Sequence, residues 1–132
     1  MSSTSVGCLA DWPSKRTAVS GSREGHPQVE RWMQAWWTVH GPSVWVLGGA
    51  RGVDMQARKL CDLKGWPYIE LRAQWEHHGR SAGHRRNRDM LAWSVPDGVL
   101  LAFPRGGPGT RNCIGLFEEH GRFVYIAKEP QP

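Results

Sequence analysis

Cysteine is scarce in this chain, and long apolar runs are missing. The three cysteines, Cys8, Cys61 and Cys113, are an odd number without metal-site spacing, so we expect neither a disulfide framework nor a structural metal. No apolar run approaches the roughly 20 residues that a membrane-spanning helix needs. The sequence also does not begin with a charged stretch followed by an apolar one, as a secretory signal would. We therefore expect a soluble cytoplasmic protein.

Acidic side chains are outnumbered by basic ones. The sequence contains 12 Asp and Glu residues and 17 Lys and Arg residues, which gives a net charge of +5. Five of the arginines lie in the segment from Arg72 to Arg88. This excess predicts an anionic ligand. Because the arginines cluster beside glycine-rich turns, the pattern favours a compact phosphate-bearing molecule over nucleic acid. We expect no organic cofactor.

Short apolar runs alternate with segments of helical periodicity along most of the chain. The expected strands are Thr17 to Ser20, Val44 to Leu47, Tyr68 to Leu71, Gly98 to Phe103 and Phe123 to Ala127. This order predicts an α/β fold, a Rossmann-like doubly wound and mainly parallel five-stranded sheet with helices on both faces. We expect one domain over residues 15–132, preceded by a flexible tail over residues 1–14.

Tryptophan is abundant, with eight residues in 132. Apolar side chains recur at positions i, i+3, i+4, i+7 and i+8 in the first predicted helix, which indicates one buried helix face. The residues of this face are Val29, Trp32, Met33, Trp36 and Trp37. Large aromatics pack in cores far more often than they stack on ligands. We therefore interpret this stripe as packing and not as an aromatic ligand box.

Glycine-rich turns follow three of the expected strands. They are Gly21-Ser22-Arg23, Gly48-Gly49-Ala50-Arg51-Gly52 and Pro104-Arg105-Gly106-Gly107-Pro108-Gly109-Thr110. A turn of this kind that leads into a helix presents backbone N–H groups and the positive end of the helix dipole to a phosphate. In a parallel sheet the three turns meet at one edge. We expect Gly107 to have a positive φ, so that no β-carbon fits there.

Two carboxylates and one thiol are candidates for chemistry at this edge. Asp54 is interpreted either as a first-turn acid that complements its helix dipole, which we favour, or as a polar group that points into the site. Glu76 lies in a polar, arginine-rich segment, residues 73–88, that we interpret as a functional loop running into a helix. Cys113 follows the last glycine turn on an apolar stripe, so packing is a better interpretation for it than nucleophilic catalysis.

Taken together, these motifs resemble the SLOG superfamily, a Rossmann-like group, and within it the YspA/YpsA-related branch. The resemblance covers about residues 16–127 and includes distant similarity to lonely-guy phosphoribohydrolases and to DNA-processing protein A. The motifs are Ser20-Gly-Ser-Arg23, Gly48-Gly-Ala-Arg-Gly-Val-Asp54, Trp75 with Gly79-Arg80, Ala82-Gly83 with Arg86-Asn87 and Met90, and Phe103-Pro-Arg-Gly-Gly-Pro-Gly-Thr110.

The resemblance implies a site for a phosphorylated nucleotide or an ADP-ribose-like molecule at the sheet edge. It implies that Gly106, Gly107, Gly109 and Thr110 hold a phosphate, with Gly48 and Gly49 in the floor. Arg86 stands where the phosphoribohydrolases have an arginine, and we expect it to make the strongest phosphate contact outside the glycine turns. Superfamily members often pair through helices beside the site, and the Trp-rich face is large enough to cover a partner. We therefore expect a homodimer or higher homo-oligomer.

One departure from the family pattern bears on activity. Cys113 stands where the lonely-guy enzymes have the glutamate that helps to cleave the N-glycosidic bond. The sequence therefore favours a module that senses or sequesters its ligand. An N-glycoside hydrolase or transferase with a relocated acid, Asp54 or Glu76, is the alternative. A DNA-binding accessory role, by analogy with DNA-processing protein A, is a second alternative that only the net charge supports.

Overall fold

The structure is a computed structural model that describes residues 12–95 and 98–130. Most of the expected N-terminal tail, residues 1–11 with Cys8, lies outside the described residues. No helix in the described ranges is long and apolar enough to cross a bilayer. The same ranges contain no group of three His, Cys, Asp or Glu side chains that could hold a metal ion.

Strands and helices alternate along the described chain. The strands are β1 (Arg16–Gly21), β2 (Val44–Leu47), β3 (Tyr68–Glu70), β4 (Val99–Phe103) and β5 (Val124–Ile126). The helices are α1 (Val29–His40), α2 (Val53–Lys64), the short α3 (Trp75–His78), α4 (Ala82–Trp93) and α5 (Pro108–Glu119), with a 3-10 turn at Gly79–Ser81 between α3 and α4. The expected loop over residues 73–88 is thus helical from Trp75 onward, interrupted at Gly79, whose φ is +54°.

All five strands are parallel, in the order β3-β2-β1-β4-β5. Strands β2 and β3 lie in sequence on one side of β1, and strands β4 and β5 lie in sequence on its other side. Strand order therefore reverses beside β1, and the carboxyl ends of β1 and β4 flank a crevice of the kind in which open α/β sheets bind ligands. This arrangement confirms the predicted α/β fold class.

The sheet is covered on both faces because successive strand residues point to opposite sides. On one face Val19, Leu47 and Leu101 form a core with buried residues of α1 and α2. On the other, Ala18 and its neighbours Val46 and Leu100 pack against α4 and α5. Burial on both faces explains why β2 and β4 read as continuous apolar runs.

The tryptophans of α1 pack against the fold, as the sequence predicts. Trp32, Trp36 and Trp37 lie against the first core. Trp66 stacks on Trp37 with ring centroids 4.4 Å apart and on the fully buried Trp45 at 5.6 Å. This three-ring stack lies on the α1–α2 face of the sheet, so its members contribute to packing.

Candidate functional site

A cleft of about 460 Å³ opens at the carboxyl edge of the sheet, where the three glycine-rich turns meet. We call it the carboxyl-edge cleft. The residues that line it are Ser20, Gly21, Ser22, Arg23, Glu24, Ala50, Asp54, Trp75, Arg80, Gly83, His84, Arg86, Asn87, Arg105, Gly107, Pro108, Gly109 and Thr110. The turns after β1, β2 and β4 and the α3–α4 segment all contribute to this lining.

Backbone hydrogen bonds join the turns across the end of β1. The Ser22 N–H donates to the Phe103 carbonyl at 3.1 Å, and the Ser22 carbonyl accepts from the Val53 N–H at 2.9 Å. The first turn is therefore bonded on one side to the end of β4 and on the other to the start of α2. The β1–α1 turn is thus connected to its neighbours by hydrogen bonds between backbone groups alone.

Two consecutive residues of α4, Arg86 and Asn87, connect the outer turns. Arg86 Nη1 donates to the Gly48 carbonyl, while Asn87 Nδ2 donates to the Gly109 carbonyl at 3.3 Å and to Asn112 Oδ1 at 2.9 Å. The Asn87 side-chain oxygen accepts from Arg86 Nε at 3.0 Å. We call this pair the α4 clamp, since it fixes the β2–α2 turn and the first turn of α5 relative to each other.

Gly48 has no side chain because the α4 clamp occupies that space. A β-carbon placed there would lie 2.5 Å from Arg86 Nη1 and 2.7 Å from Asp54 Oδ2, closer than such atoms approach in proteins. Gly48 is buried and does not line the cleft. The absence of a side chain there admits the guanidinium and the carboxylate, and the expectation that Gly48 lies in the floor of a ligand site stays a prediction.

Asp54, in the first turn of α2, is 5% exposed and lines the cleft. Its Oδ2 accepts a 3.0 Å hydrogen bond from the Ala50 N–H and lies 3.9 Å from Arg86 Nη1. Burial raises the pKa of this carboxyl from 3.8 to about 6, although Arg86 and the backbone of Ala50 and Gly48 act in the opposite direction. The two interpretations of Asp54 are thus compatible, since one oxygen supports the turn while the residue faces the cleft.

Basic side chains surround the mouth of the cleft. The Arg23 guanidinium lies over the Trp75 ring, 5.6 Å from its centroid, and so links the β1–α1 turn to α3. Arg105 lies on the β4–α5 turn, and Arg80 and His84 approach from the α3–α4 side. The walls of the cleft are therefore strongly cationic.

The N-terminus of α5 opens into the cleft. Gly107 is its N-cap, Pro108 is the first helical residue, and the first turn contains no acid. The N–H groups of Gly109 and Thr110 have no partner within the helix, as at any helix start. Thr110 is buried in the cleft wall.

The expectation of a positive φ at Gly107 is wrong. Its φ is −78° and its ψ 149°, an extended conformation open to any residue, and an added β-carbon would meet nothing within 4 Å. The left-handed glycine of this turn is Gly106, with φ +86°. The chain reverses one residue earlier than the sequence suggested.

Most of the predicted site residues come together in the cleft. They are Gly21, Ser22, Arg23, Ala50, Asp54, Trp75, Arg80, Arg86, Asn87, Gly107, Gly109 and Thr110. Four others, Gly48, Gly49, Arg51 and Gly106, are absent from its lining and belong to the supporting turns. The site prediction missed Ser20, Glu24, Gly83, His84, Arg105 and Pro108, all of which are adjacent to or part of a motif already singled out.

Glu76, Cys61 and Cys113 are absent from the lining of the cleft. Glu76 is exposed on α3 and does not contribute to the lining. Cys113 is fully buried in the α4–α5 core, where burial raises the pKa of its thiol to about 11. Cys61 is likewise buried, and the pKa of its thiol is raised to about 12 for the same reason. Asp54 is therefore the one predicted acid that the structure brings to the site.

A second groove, of about 510 Å³, lies between α1 and β5, away from the glycine turns. Its walls include Trp32, Trp36, Val39 and Tyr125. It is slightly larger than the carboxyl-edge cleft, and its lining is mostly apolar, with Gln28, Arg31 and His40 as its polar residues. The charged residues that line the carboxyl-edge cleft are therefore more numerous than those of this groove.

The chain is 33% identical over 121 residues to the Gene 61 protein of Mycobacterium phage D29, an alignment that covers 81% of this chain and 91% of the phage protein. The chain belongs to the family of that phage protein. No protein-family model and no solved structure matches the chain. The cleft geometry is therefore the basis for any inference about function.

A substitution at Gly48 tests the packing around the α4 clamp. In Gly48→Ala the new methyl group displaces Arg86 and Asp54, so we expect the free energy of unfolding to fall by about 1–3 kcal/mol, as for other overpacked sites. Gly107→Ala is the matched control, because its φ is negative and the added β-carbon meets open space. Urea unfolding of both variants measures the difference, and equal stabilities would show that the clamp is not packed as described.

The raised pKa of Asp54 predicts a specific pH dependence of stability. Because the folded state binds the Asp54 proton more tightly than the unfolded state, the free energy of unfolding decreases as the pH rises from about 4 to about 6. Relative to Asp54→Asn, the wild type should lose on the order of 3 kcal/mol across this window. The charged groups that act on Asp54 are Arg86 of α4 and Glu70 of β3, and both are retained in the variant.

Urea unfolding of wild type and Asp54→Asn at pH 4 and pH 7.5 measures this effect, since other titrating groups are common to the two proteins. A constant difference between wild type and Asp54→Asn would mean that the Asp54 pKa is not raised.

Proposed function

We propose that this protein binds a phosphorylated nucleotide or ADP-ribose-like small molecule in the carboxyl-edge cleft, and so senses or sequesters it. The observation that carries this proposal is the N-terminus of α5, which opens into a cationic cleft and has no acid in its first turn. A helix N-terminus in that setting attracts a phosphate through its free N–H groups and its dipole.

Two of the other helices at this edge, α1 and α2, are less suited to hold an anion. The first turn of α2 carries Asp54, whose carboxylate already accepts the Ala50 N–H, and the first turn of α1 carries Glu30. A phosphate at either position would face a negative charge. Helix α4 also begins beside the cleft without an acid in its first turn. It follows a 3-10 turn, whereas α5 follows a strand through a glycine-rich turn, so we assign the anionic group of the ligand to α5.

The charge of the lining supports the same assignment. Four arginines and His84 contribute to the cleft, against the carboxylates of Glu24 and Asp54. Asp54 is already opposed by Arg86 at 3.9 Å. The remaining arginines, Arg23, Arg80 and Arg105, offer planar donor groups that match phosphate geometry.

Membership in the SLOG superfamily belongs to this proposal and agrees with the strand order and with the glycine turns at the carboxyl edge. Cys113 replaces the catalytic glutamate of the phosphoribohydrolases and is buried, so binding without turnover is the favoured activity. Arg86 Nη1 already donates a hydrogen bond to the Gly48 carbonyl and lies 3.9 Å from Asp54 Oδ2. Its expected contact with the phosphate stays a prediction. The homo-oligomer also stays a prediction.

Hydrolysis of an N-glycoside is the second candidate, and the raised pKa of Asp54 is the observation that favours it. A carboxyl with a pKa of about 6 is suited to general acid–base chemistry near neutral pH. We nevertheless expect no release of free base from adenosine monophosphate or its N6-substituted relatives, as followed by chromatography. Multiple turnovers that disappear in Asp54→Asn would make the protein an enzyme.

An added acid at the start of α5 tests the binding proposal. In Gly109→Asp the new side chain meets open space and complements the helix dipole, so the melting temperature should be unchanged or higher. The same carboxylate occupies and neutralises the anion position, so we expect affinity for nucleoside 5′-monophosphates or ADP-ribose to fall at least about tenfold. Calorimetry on this ligand panel provides the measurement.

Gly115→Asp is the matched control, since it adds the same charge to a later turn of α5 and its β-carbon also meets open space. It should bind like the wild type. Equal weakening by both variants would indicate a general charge effect, and a wild type that binds no member of the panel would overturn the proposal.

A further inference from the structure

One charged group in the carboxyl-edge cleft has incomplete hydrogen bonding. Among the described residues, three buried side-chain atoms have no partner, namely Arg16 Nη1, Trp45 Nε1 and Asp54 Oδ1. Of these residues only Asp54 lines the cleft. A buried carboxylate oxygen without a donor is unfavourable, because desolvation of the charge is not compensated.

One of the two carboxylate oxygens of Asp54, Oδ2, already has partners in the protein. Oδ2 accepts from the Ala50 N–H at 3.0 Å and lies 3.9 Å from Arg86 Nη1. Oδ1 receives nothing comparable from the described residues. Oδ1 is enclosed, but Asp54 lines the cleft. A molecule in the cleft is therefore the source of the missing donor, and a rotation of the carboxyl group brings Oδ1 within its reach.

We propose that Asp54 Oδ1 accepts a hydrogen bond from a ribose hydroxyl of the ligand, so that the cleft selects ribose-containing phosphorylated ligands over their dideoxy analogues. This inference rests on the proposed function, because it assigns the second end of a ligand whose phosphate lies at α5. Beyond the proposed function, it makes Asp54 a specificity-determining residue and requires a ribose hydroxyl on the ligand.

The charges around Asp54 favour a neutral donor. Arg86 already supplies a positive charge beside Oδ2, so a cationic amine on the ligand would be repelled by the guanidinium. A second anionic group on the ligand would be repelled by Asp54 itself. A hydroxyl carries no charge and forms a short hydrogen bond to a carboxylate.

The spacing of the strands suits a sugar phosphate. The α5 turn follows β4 and the Asp54 turn follows β2, and β1 lies between these two strands. Neighbouring strands are about 4.8 Å apart, so the two turns start on the order of 10 Å from each other. A hydrogen bond at each end takes up about 2.8 Å. A molecule with a phosphate at one end and a hydroxyl several bonds away at the other can span such a distance, whereas a free phosphate cannot.

The experiment compares AMP, GMP, CMP and UMP with their 2′,3′-dideoxy counterparts by calorimetry at pH 7.5. For the wild type we expect the ribonucleotide that binds best to bind about tenfold to a hundredfold more tightly than its dideoxy form, as for a hydrogen bond to a charged group. In Asp54→Asn, where a neutral amide replaces the carboxylate, this ratio should fall to about one. Glu76→Gln, on α3 outside the cleft lining, should keep the wild-type ratio.

The possible failures are distinguishable. If the wild type binds ribonucleotide and dideoxynucleotide equally, this inference is wrong while the proposed function stands. If it binds neither, both are wrong. If Asp54→Asn binds and keeps the ratio, the hydroxyl contacts another group and the inference is again overturned.

A second measurement covers the case in which Asp54→Asn does not fold, as judged by circular dichroism. The ratio for the wild type should fall toward one as the pH drops from 7.5 to 5, because protonation removes the charge that accepts the hydroxyl. Ionisation of the phosphate is common to both ligands and cancels in the ratio. A ratio that stays constant with pH would overturn the inference.

Discussion

The α4 clamp determines how the carboxyl edge of this sheet is assembled. Parallel strands bring their turns to one edge and set where each turn starts, but they do not bind the turn after β2 to the turn after β4, since β1 lies between them. Arg86 donates a hydrogen bond to the Gly48 carbonyl and Asn87 donates one to the Gly109 carbonyl. Adjacent residues of one helix therefore bind the turn after β2 and the turn after β4. The shape of the cleft therefore depends on the placement of α4 against the sheet.

The helix N-termini at this edge are used in different ways. Asp54 in the first turn of α2 accepts a backbone N–H of its own turn, so that N-terminus is already complemented by the protein. The first turn of α5 has no acid and opens into the cleft. Burial of Asp54 beside Arg86 is unfavourable for the carboxylate, as its raised pKa indicates.

Periodicity and glycine placement were sufficient to predict the fold. The strand β2 has the predicted bounds, and the residues of α1 that pack into the first core are those of the predicted face. These features are local, so the sequence shows them. The site was predicted in outline for the same reason, because glycine turns after parallel strands must converge.

The sequence could not show features that arise from contacts between distant residues. Gly48 is required by Arg86, which is 38 residues away along the chain, and no spacing rule joins them. The φ of Gly107 depends on where the turn reverses, and in a run of glycines each position is compatible with a positive φ. His84 and Arg105 were missed because tertiary packing decides which face of a helix or turn lines the cleft.

The distribution of the tryptophans has a practical consequence. All eight lie within the described residues, and Trp75 is the one among them that lines the cleft. The stack of Trp37, Trp45 and Trp66 lies in the α1–α2 core. The protein thus carries an intrinsic fluorophore at the mouth of its cleft and a separate cluster of fluorophores in its interior, so quenching at Trp75 reports occupancy while the interior emission reports the integrity of the fold.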